Sequence, residues 1–321
     1  MRRNVCLFAH FDRDHKVADH VIRYVQAISD LGFEIVFISA SAPSEQELGP
    51  LRDVCSDIIL RENSGHDFGS WNEGYCRHRA QLTGELLLVN DSVYGPVGNL
   101  GEGLERLRGL DADMSGFVES RAILPHLQSW LLLVQPEAHK SGTFQRILRF
   151  DYSNRPKTEI VLEGEIGLST AMRAAGFKVA GLFSDVGFVL SKFPFNPSLL
   201  LWRELIEDER CPFLKVELLR DNPCNISWLE TWREVVAKRA PDLPQMIEAH
   251  LSRITGRPIS SCVQIGPRKR LHYANWYRQA YHLRSAAYPL RKTNALAFDA
   301  LEWAYYLMPK HVRDTARSSL S

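Results

Sequence analysis

The 321-residue sequence lacks the patterns that mark several common classes of protein. It has no CxxC pair and no Cys/His group with zinc-ligand spacing, so its six cysteines indicate reduced, mostly buried thiols. It contains no GxSxG, HExxH or P-loop pattern, which argues against the hydrolases, zinc proteases and P-loop NTPases that carry them. No run reaches the ~18–20 apolar residues of a membrane-spanning helix.

The N-terminal apolar run, which follows Arg2 and Arg3, is too short for the hydrophobic part of a signal peptide. We therefore expect a cytoplasmic protein. Its substrates would be cytosolic metabolites or lipid-linked acceptors at the inner face of the membrane.

Net charge is also nearly absent, at +1, which excludes a chain that binds nucleic acid through overall charge. The charge is unevenly spread, because residues 268–321 carry ten Lys/Arg against three Asp/Glu and are rich in aromatics. Two interpretations of this segment stay open. It can lie on an anionic membrane surface, as a peripheral contact, or it can pack against the more acidic remainder of the chain.

Apolar runs and helical periodicities alternate in the first part of the sequence, which predicts an α/β fold with a mostly parallel sheet. We expect a domain over residues 1–242 and a basic, aromatic-rich helical extension over residues 243–321. Strands are predicted at 4–9, 33–39, 57–60, 85–89, 114–118, 130–134 and 177–183, and helices at 15–31, 48–54, 71–81, 143–150, 166–175, 199–206 and 226–237.

Polar residues and glycines follow the third predicted strand, in the stretch RENSGHDFGSW. The carboxyl ends of parallel strands are where ligands bind in open α/β sheets, and glycine lets the backbone approach a phosphate or a sugar. The candidate residues are Asn63, Gly65 and Asp67. The alternative interpretation is a tight strand-to-helix turn held by a salt bridge.

A second polar group, Asn90, Asp91 and Ser92, directly follows the strand ELLLV. A carboxylate in this position can hold the divalent metal that neutralises a nucleotide diphosphate. The competing explanation is an Asx-turn that leads into the Gly-Pro turn. Another aspartate pair, Asp111 and Asp113, does not follow a strong strand and is interpreted as solvated.

Two further groups could act on an acceptor. Glu163 and Glu165 precede a predicted helix, where a carboxylate can serve as a general base but also simply favours the first helical turn. His126, Gln128 and Trp130 precede a strand and could line an acceptor pocket, although ordinary loop polarity explains them too.

Taken together, these groups resemble the rhamnan synthesis protein F family of bacterial polysaccharide enzymes. The matching stretches run from Phe8 to about Pro223, roughly two thirds of the chain: FAHFD, RENSGHDFGSWNEGY, ELLLVNDSVYGP, HLQSW, GEIGLS and PFLKVELLRDNP. A looser similarity is to inverting glycosyltransferases with a GT-A fold. In those enzymes an Asp-rich string follows a strand and an acidic string precedes a helix.

The resemblance implies a rhamnosyltransferase that uses a nucleotide-sugar, with dTDP-rhamnose as the expected donor and a glycan or lipid-linked acceptor. It implies that Asp91 binds Mg²⁺ or Mn²⁺ or the diphosphate, and that Glu165, with Glu163 as its competitor, removes the acceptor proton. Asn90-Asp91-Ser92 supplies one carboxylate where that looser pattern has two, so Asp67 could share the metal. The expected donor-site residues are His10, Asn63, Gly65, Asp67, Asn90, Asp91 and Ser92, and the expected acceptor-site residues are His126, Gln128 and Trp130.

Two rival functions remain at this point. A glycan hydrolase could use Asp91 with Glu163 or Glu165 as its acid and base. The other rival is a carbohydrate-binding or scaffold protein of the assembly machinery that has lost catalysis. The single carboxylate of the Asn-Asp-Ser string keeps this function open.

Overall fold

A computed structural model of the protein describes residues 3–120, 124–183, 196–223, 226–258 and 260. The basic segment 268–321, for which a membrane contact was considered, lies outside the described residues. Among the helices of the described residues, none is both long and apolar enough to cross a membrane.

Half of the central sheet consists of four parallel strands in the order β3-β2-β1-β4. They are β1 (Val5–His10), β2 (Glu34–Ser39), β3 (Cys55–Leu60) and β4 (Leu86–Asn90). Every residue of β1 and β4 is buried, as expected for parallel strands covered by helices on both faces. The crossover helices are α1 (Asp19–Ser29), α2 (Glu45–Arg52) and α3 (His66–His78).

The other half of the sheet contains strands of both directions. Strand β8 (Leu131–Val134) runs antiparallel to both β4 and β6 (Met114–Ser120), and β9 (Val179–Phe183) pairs parallel with β6. The short β7 (His126–Leu127) pairs antiparallel with the last two residues of β6. The mixed, mostly parallel sheet with flanking helices confirms the α/β fold class.

A small second sheet lies beyond the end of β4. It consists of β5 (Val93–Tyr94) and β10 (Leu214–Lys215), which pair antiparallel. The remaining α-helices among the described residues are α4 (Leu100–Arg108), α5 (Pro136–Lys140), α6 (Gly142–Leu148), α7 (Lys157–Ile160), α8 (Gly167–Ala174), α9 (Pro197–Leu200), α10 (Trp202–Glu207), α11 (Val216–Asp221), α12 (Trp232–Ala237) and α13 (Leu243–Thr255).

Helix α13 packs in the same core as the first helix and the sheet. Its buried residues Leu243, Ile247 and Leu251 belong to the large apolar cluster that also contains residues of β1 and α1. Beyond them, the guanidinium of Arg253 forms an ion pair with the buried carboxylate of Asp12. The expected domain division at residue 242 stays a prediction, and the helix that follows it is part of the core.

One difference from the predicted elements that affects the site is the start of α3. The sequence predicts a loop up to Trp71, but the helix begins at His66. Gly65 precedes it in the left-handed conformation, with φ of +73°, and its carbonyl accepts a hydrogen bond from the N–H of Gly69 at 2.8 Å. The glycines of this stretch therefore cap and start the helix, and they place Asp67 in its first turn.

Candidate functional site

A cleft of about 700 Å³ opens at the carboxyl ends of β1, β2 and β4, where the topology of an open α/β sheet places ligands. On one side it is lined by the residues that follow these strands and by the first turn of α3. On the other side lie the β7–β8 connection, the turn before α8, and residues of β10, α11 and α13.

The end of β4 and the first turn of α3 bring Asn90, Asp91 and Asp67 together. The Nδ2 of Asn90 donates to Oδ2 of Asp67 at 2.8 Å, and Oδ1 of Asn90 accepts from the backbone N–H of Ser92 at 3.1 Å. The backbone N–H of Phe11 donates to Oδ2 of Asp91 at 2.8 Å. The two carboxylates thus stand on neighbouring elements, Asp67 held by Asn90 and Asp91 held by the backbone of Phe11.

Burial makes both carboxyl groups weaker acids than an exposed aspartate. It raises the pKa of Asp91 to about 8, with a further contribution from the charge of Asp67, although the Phe11 hydrogen bond acts in the opposite direction. Burial also raises the pKa of Asp67 to about 6, against the hydrogen bond from Asn90. In the free protein at neutral pH, Asp91 therefore holds a proton that a cation would displace.

His10 ends β1 beneath these acids. Its Nδ1 is 3.0 Å from the hydroxyl of Ser39, and its Nε2 is 4.0 Å from Oδ2 of Asp91. Burial lowers the pKa of His10 to about 4, so the ring is neutral at physiological pH. A neutral imidazole in this place can donate a hydrogen bond to a bound ligand or accept one from it, but it adds no positive charge to the site.

Glu165 lies on the opposite wall, in a π-helical turn over Val161–Ile166 that precedes α8. The Nε2 of His126 is 3.1 Å from Oε1 of Glu165, and the hydroxyl of Ser129 donates to Oε2. The Nδ1 of His126 is 2.7 Å from the carbonyl oxygen of Leu124. Both nitrogens of His126 therefore face acceptors, one of which is a carboxyl oxygen of Glu165.

Contacts outweigh burial at Glu165. Burial acts to raise the pKa of this carboxyl, but the hydrogen bond and charge of His126, the charge of Lys215 and the Ser129 hydrogen bond lower it to about 2. Glu165 is consequently ionised at all physiological pH values, whereas Asp91 is not. Opposite shifts of this kind in one cleft are typical of sites with divided acid and base roles.

We expect His126→Gln to make any activity that depends on ionised Glu165 more sensitive to acid. Without the hydrogen bond and charge of His126, burial raises the pKa of Glu165, so its carboxyl is protonated at a higher pH. The ratio of the variant's kcat/KM to that of wild type should be lower at pH 5 than at pH 8, which a pH–rate profile measures. His78→Gln, which alters a ring paired with Asp57 outside the cleft, is the matched control. A ratio that stays flat with pH would contradict this role of His126.

Most of the sequence-predicted site residues line this one cleft. Ten of them do so: His10, Asn63, Asp67, Asn90, Asp91, Ser92, His126, Gln128, Trp130 and Glu165. Gly65 and Glu163 are not in the lining. A Cβ at Gly65 would lie 2.9 Å from Cβ of Tyr152, so this position serves close packing, while Glu163 is exposed. The assigned roles stay predictions.

The expected acceptor residues Gln128 and Trp130 are largely occupied within the protein. Trp130 is 3% exposed, stacks on Phe117 with ring centroids 5.7 Å apart, and meets Phe213 edge-on. Its Nε1 donates to Oε1 of Gln128 at 2.9 Å, and that oxygen also accepts from Ser198. A sugar could therefore touch only a small edge of Trp130.

Sequence reasoning missed several residues that line the cleft: Asp12, Lys157, Lys215, Arg220 and His250. Two of them, Lys215 and Arg220, belong to the stretch PFLKVELLRDNP. This stretch contributes to the family resemblance, but the sequence analysis assigned no function to its residues. For His250 the sequence offers no signal, because it comes from α13, where no motif was found.

The acids of the cleft fit a metal only in part. Within the described ranges, no group of three or more His, Cys, Asp or Glu side chains could hold an ion. Mg²⁺, however, is commonly bound by one or two carboxylates together with substrate phosphates and water. Asp91 and Asp67 fit a cation that enters with a diphosphate, rather than one held by protein ligands alone.

Sequence comparison matches residues 35–266 to the family model described as rhamnan synthesis protein F. The virulence protein VirA of Vibrio anguillarum is 26% identical over 255 residues, covering 69% of this chain and 81% of that protein. The uncharacterized protein y4gN of Sinorhizobium fredii is 26% identical over 159 residues, covering 48% of this chain and 42% of that protein.

Solved structures with a similar arrangement include two transferases. One is a putative nucleotide-diphospho-sugar transferase from Desulfovibrio desulfuricans, at 9% identity and a TM-score of 0.35, covering 56% of this chain and 80% of that one. The other is the glycosyltransferase GlyE of Streptococcus pneumoniae, at 15% identity and a TM-score of 0.38, covering 79% and 64%. The sheet described above, rather than these likenesses, establishes the fold class.

Proposed function

Because the chain belongs to the rhamnan synthesis protein F family, we propose that it is a glycosyltransferase that moves rhamnose from a nucleoside-diphosphate sugar to a hydroxyl of a glycan or lipid-linked acceptor. The donor proposed is dTDP-rhamnose, the catalytic domain is GT-A-like, and the product belongs to a bacterial surface polysaccharide such as an O-antigen or a rhamnan. The single observation that supports the chemistry is the division of charge in the cleft, with ionised Glu165 opposite the weakly acidic Asp91 and Asp67.

Each side of the cleft has one task in this reaction. Glu165, held by His126 and Ser129, accepts the proton of the acceptor hydroxyl as its oxygen attacks the anomeric carbon. Asn90, Asp91 and Ser92, with Asp67 beside them, receive the donor at the ends of the strands. A divalent cation bound by Asp91 and Asp67 would neutralise charge on the diphosphate. Attack from the Glu165 side and departure on the Asp91 side would invert the anomeric carbon.

A donor screen with the purified full-length chain tests the proposal. We expect dTDP-rhamnose to give nucleoside diphosphate and a rhamnosylated acceptor, and other dTDP-, UDP- and GDP-sugars to react more slowly. The acceptor arm uses lipid-linked and soluble rhamnose-containing glycans. The screen refutes the proposed class if no nucleotide-sugar is consumed in the presence of any acceptor, with Mg²⁺ or Mn²⁺ supplied.

The hydrolase alternative makes a different prediction in the same assay. The opposite pKa shifts of Asp91 and Glu165 are also those of a glycosidase acid and base. A hydrolase would cleave a rhamnose-containing glycan without any nucleotide, whereas the transferase would release nucleoside diphosphate. A scaffold that has lost catalysis would bind glycan and do neither.

We also propose that the enzyme works at the inner face of the membrane as a peripheral protein. The support is the +7 balance of residues 268–321 in the sequence, since each basic residue near an anionic surface contributes about 1 kcal/mol. The intact chain should float with anionic liposomes at low salt and be released at high salt. Failure to float at low salt would remove the membrane from the proposal.

A further inference from the structure

Lys215 is fixed beside the proposed donor site by the small second sheet. Its strand, β10, pairs antiparallel with β5 so that Lys215 lies opposite Val93, two residues after Asp91. The N–H of Val216 donates to the carbonyl oxygen of Ser92 at 2.9 Å. These contacts place a lysine from the stretch PFLKVELLRDNP at the end of Asn90-Asp91-Ser92, and Lys215 lines the same cleft.

Among the side chains that the structure describes, Lys215 forms no ion pair, unlike three arginines at or beside the cleft. Arg253 pairs with Asp12, Arg220 with Asp221 and Arg13 with Asp14. None of the ion pairs among the described residues involves Lys215. Its charge lowers the pKa of Glu165 across the cleft, but the two side chains do not form an ion pair.

A second lysine of the cleft, Lys157, is less suited to a fixed contact. It is exposed at the start of the four-residue helix α7, whereas Lys215 is partly buried on a strand. A cation held in place before the ligand arrives stabilises developing charge without having to reorganise.

We propose that the ammonium of Lys215 binds the diphosphate of the donor and stabilises it as the leaving group. This inference rests on the proposed function and adds a catalytic residue to it. In the transfer step the acceptor oxygen bonds to the anomeric carbon, and its proton passes to Glu165. The bond between the anomeric carbon and the diphosphate oxygen breaks, and its electron pair leaves with that oxygen, beside Lys215.

The charge of the donor favours such a cation. A diphosphate brings negative charge into a cleft that already holds the ionised Glu165. Hydrogen bonds between ammonium and phosphate are charge-assisted and about twice as strong as neutral ones. Lys215 therefore offsets repulsion on the donor side and favours the more negative, departing diphosphate.

Isothermal titration of the full-length chain with nucleoside diphosphates and the matching nucleosides tests the inference. The probes are dTDP with thymidine, UDP with uridine and GDP with guanosine, each with Mg²⁺. Lys215→Gln should weaken binding of the preferred diphosphate by about tenfold or more, and leave the nucleoside unchanged. Lys215→Arg should retain most of the affinity. Lys140→Gln, which removes an exposed lysine outside the cleft, is the matched control.

The possible results distinguish a failure of this inference from a failure of the proposed function. If Lys215→Gln binds the diphosphate as wild type does, Lys215 does not contact it, and the proposed transferase is unaffected. If diphosphate and nucleoside are lost to the same extent, the lysine is structural and the inference is overturned. If wild type binds none of the three diphosphates, the proposed function itself fails, and the role of Lys215 fails with it.

Discussion

Glu165→Gln should lower the rate of transfer by about 10²–10⁴-fold, the usual contribution of a general base, while donor affinity changes by less than about threefold. An amide cannot accept the acceptor proton, but it keeps an oxygen for the hydrogen bond from Ser129. The effect should therefore appear in kcat, because the lost interaction is made in the transition state and not with the bound donor. Initial rates of nucleoside diphosphate release, with the KM for each substrate, measure this split.

The chain supplies a matched control two residues away. Glu163 lies in the same π-helical turn but is exposed and does not line the cleft. Glu163→Gln should consequently transfer sugar at a rate within about twofold of wild type. If the two variants exchange these results, the base has been assigned to the wrong carboxylate.

Asp91→Asn should abolish detectable transfer and yet leave the fold intact. The amide oxygen can still accept the hydrogen bond from the N–H of Phe11, so the local backbone keeps its contact. What disappears is the carboxylate that would bind the cation, and with the cation the positive charge that would hold the diphosphate. Turnover and its dependence on Mg²⁺ concentration are the measurements, and turnover like that of wild type would refute the role of Asp91.

The same substitution should stabilise the free protein at alkaline pH. The pKa of Asp91 is raised to about 8 in the folded chain, above its value of ~3.9 when unfolded, so folding favours the protonated form. Stability from this group is fully present at low pH and is lost as the pH rises toward 8. The neutral amide has no such loss.

Thermal unfolding without metal or donor checks the sign. The Tm of Asp91→Asn should exceed that of wild type by several degrees at pH 8–9, since one pKa unit is about 1.4 kcal/mol, and the difference should shrink toward pH 5. Asp111→Asn, an exposed member of the other aspartate string, should change neither Tm nor turnover. A wild type that is the more stable protein at pH 8–9 would contradict the raised pKa.

The sheet and the main site groups could be predicted from local sequence because each depends on nearby residues. The apolar runs that start the chain became β1 and β2, and ELLLV placed Asn90 and Asp91 at a strand end. Strands buried on both faces have a continuous apolar pattern, so their ends, and the polar residues that follow, are visible in the sequence.

Other parts of the site depend on contacts between distant residues. The two-residue strands β5 and β10 have no periodicity to detect, yet their pairing delivers Lys215 to the cleft. The π-helical turn that turns Glu165 inward is shaped by packing of Gly164 on Phe68, where a Cβ would come within 2.9 Å of the ring. The burial of Trp130 likewise follows from the rings of Phe117 and Phe213, which no local pattern reveals.

The contacts that hold α13 affect when the cleft can form while the chain is being synthesised. Asp12 and Arg253 are separated by 241 positions, and the guanidinium of Arg13 reaches the carbonyl oxygen of Ile254 over the same separation. Chains emerge from the ribosome N-terminus first, and contacts this distant in sequence form late because long loops must close. A nascent chain that has not yet released residue 253 keeps the Asp12 carboxylate without its guanidinium. The cleft is thus completed only after residue 253 has been released, later than the strands that form its floor.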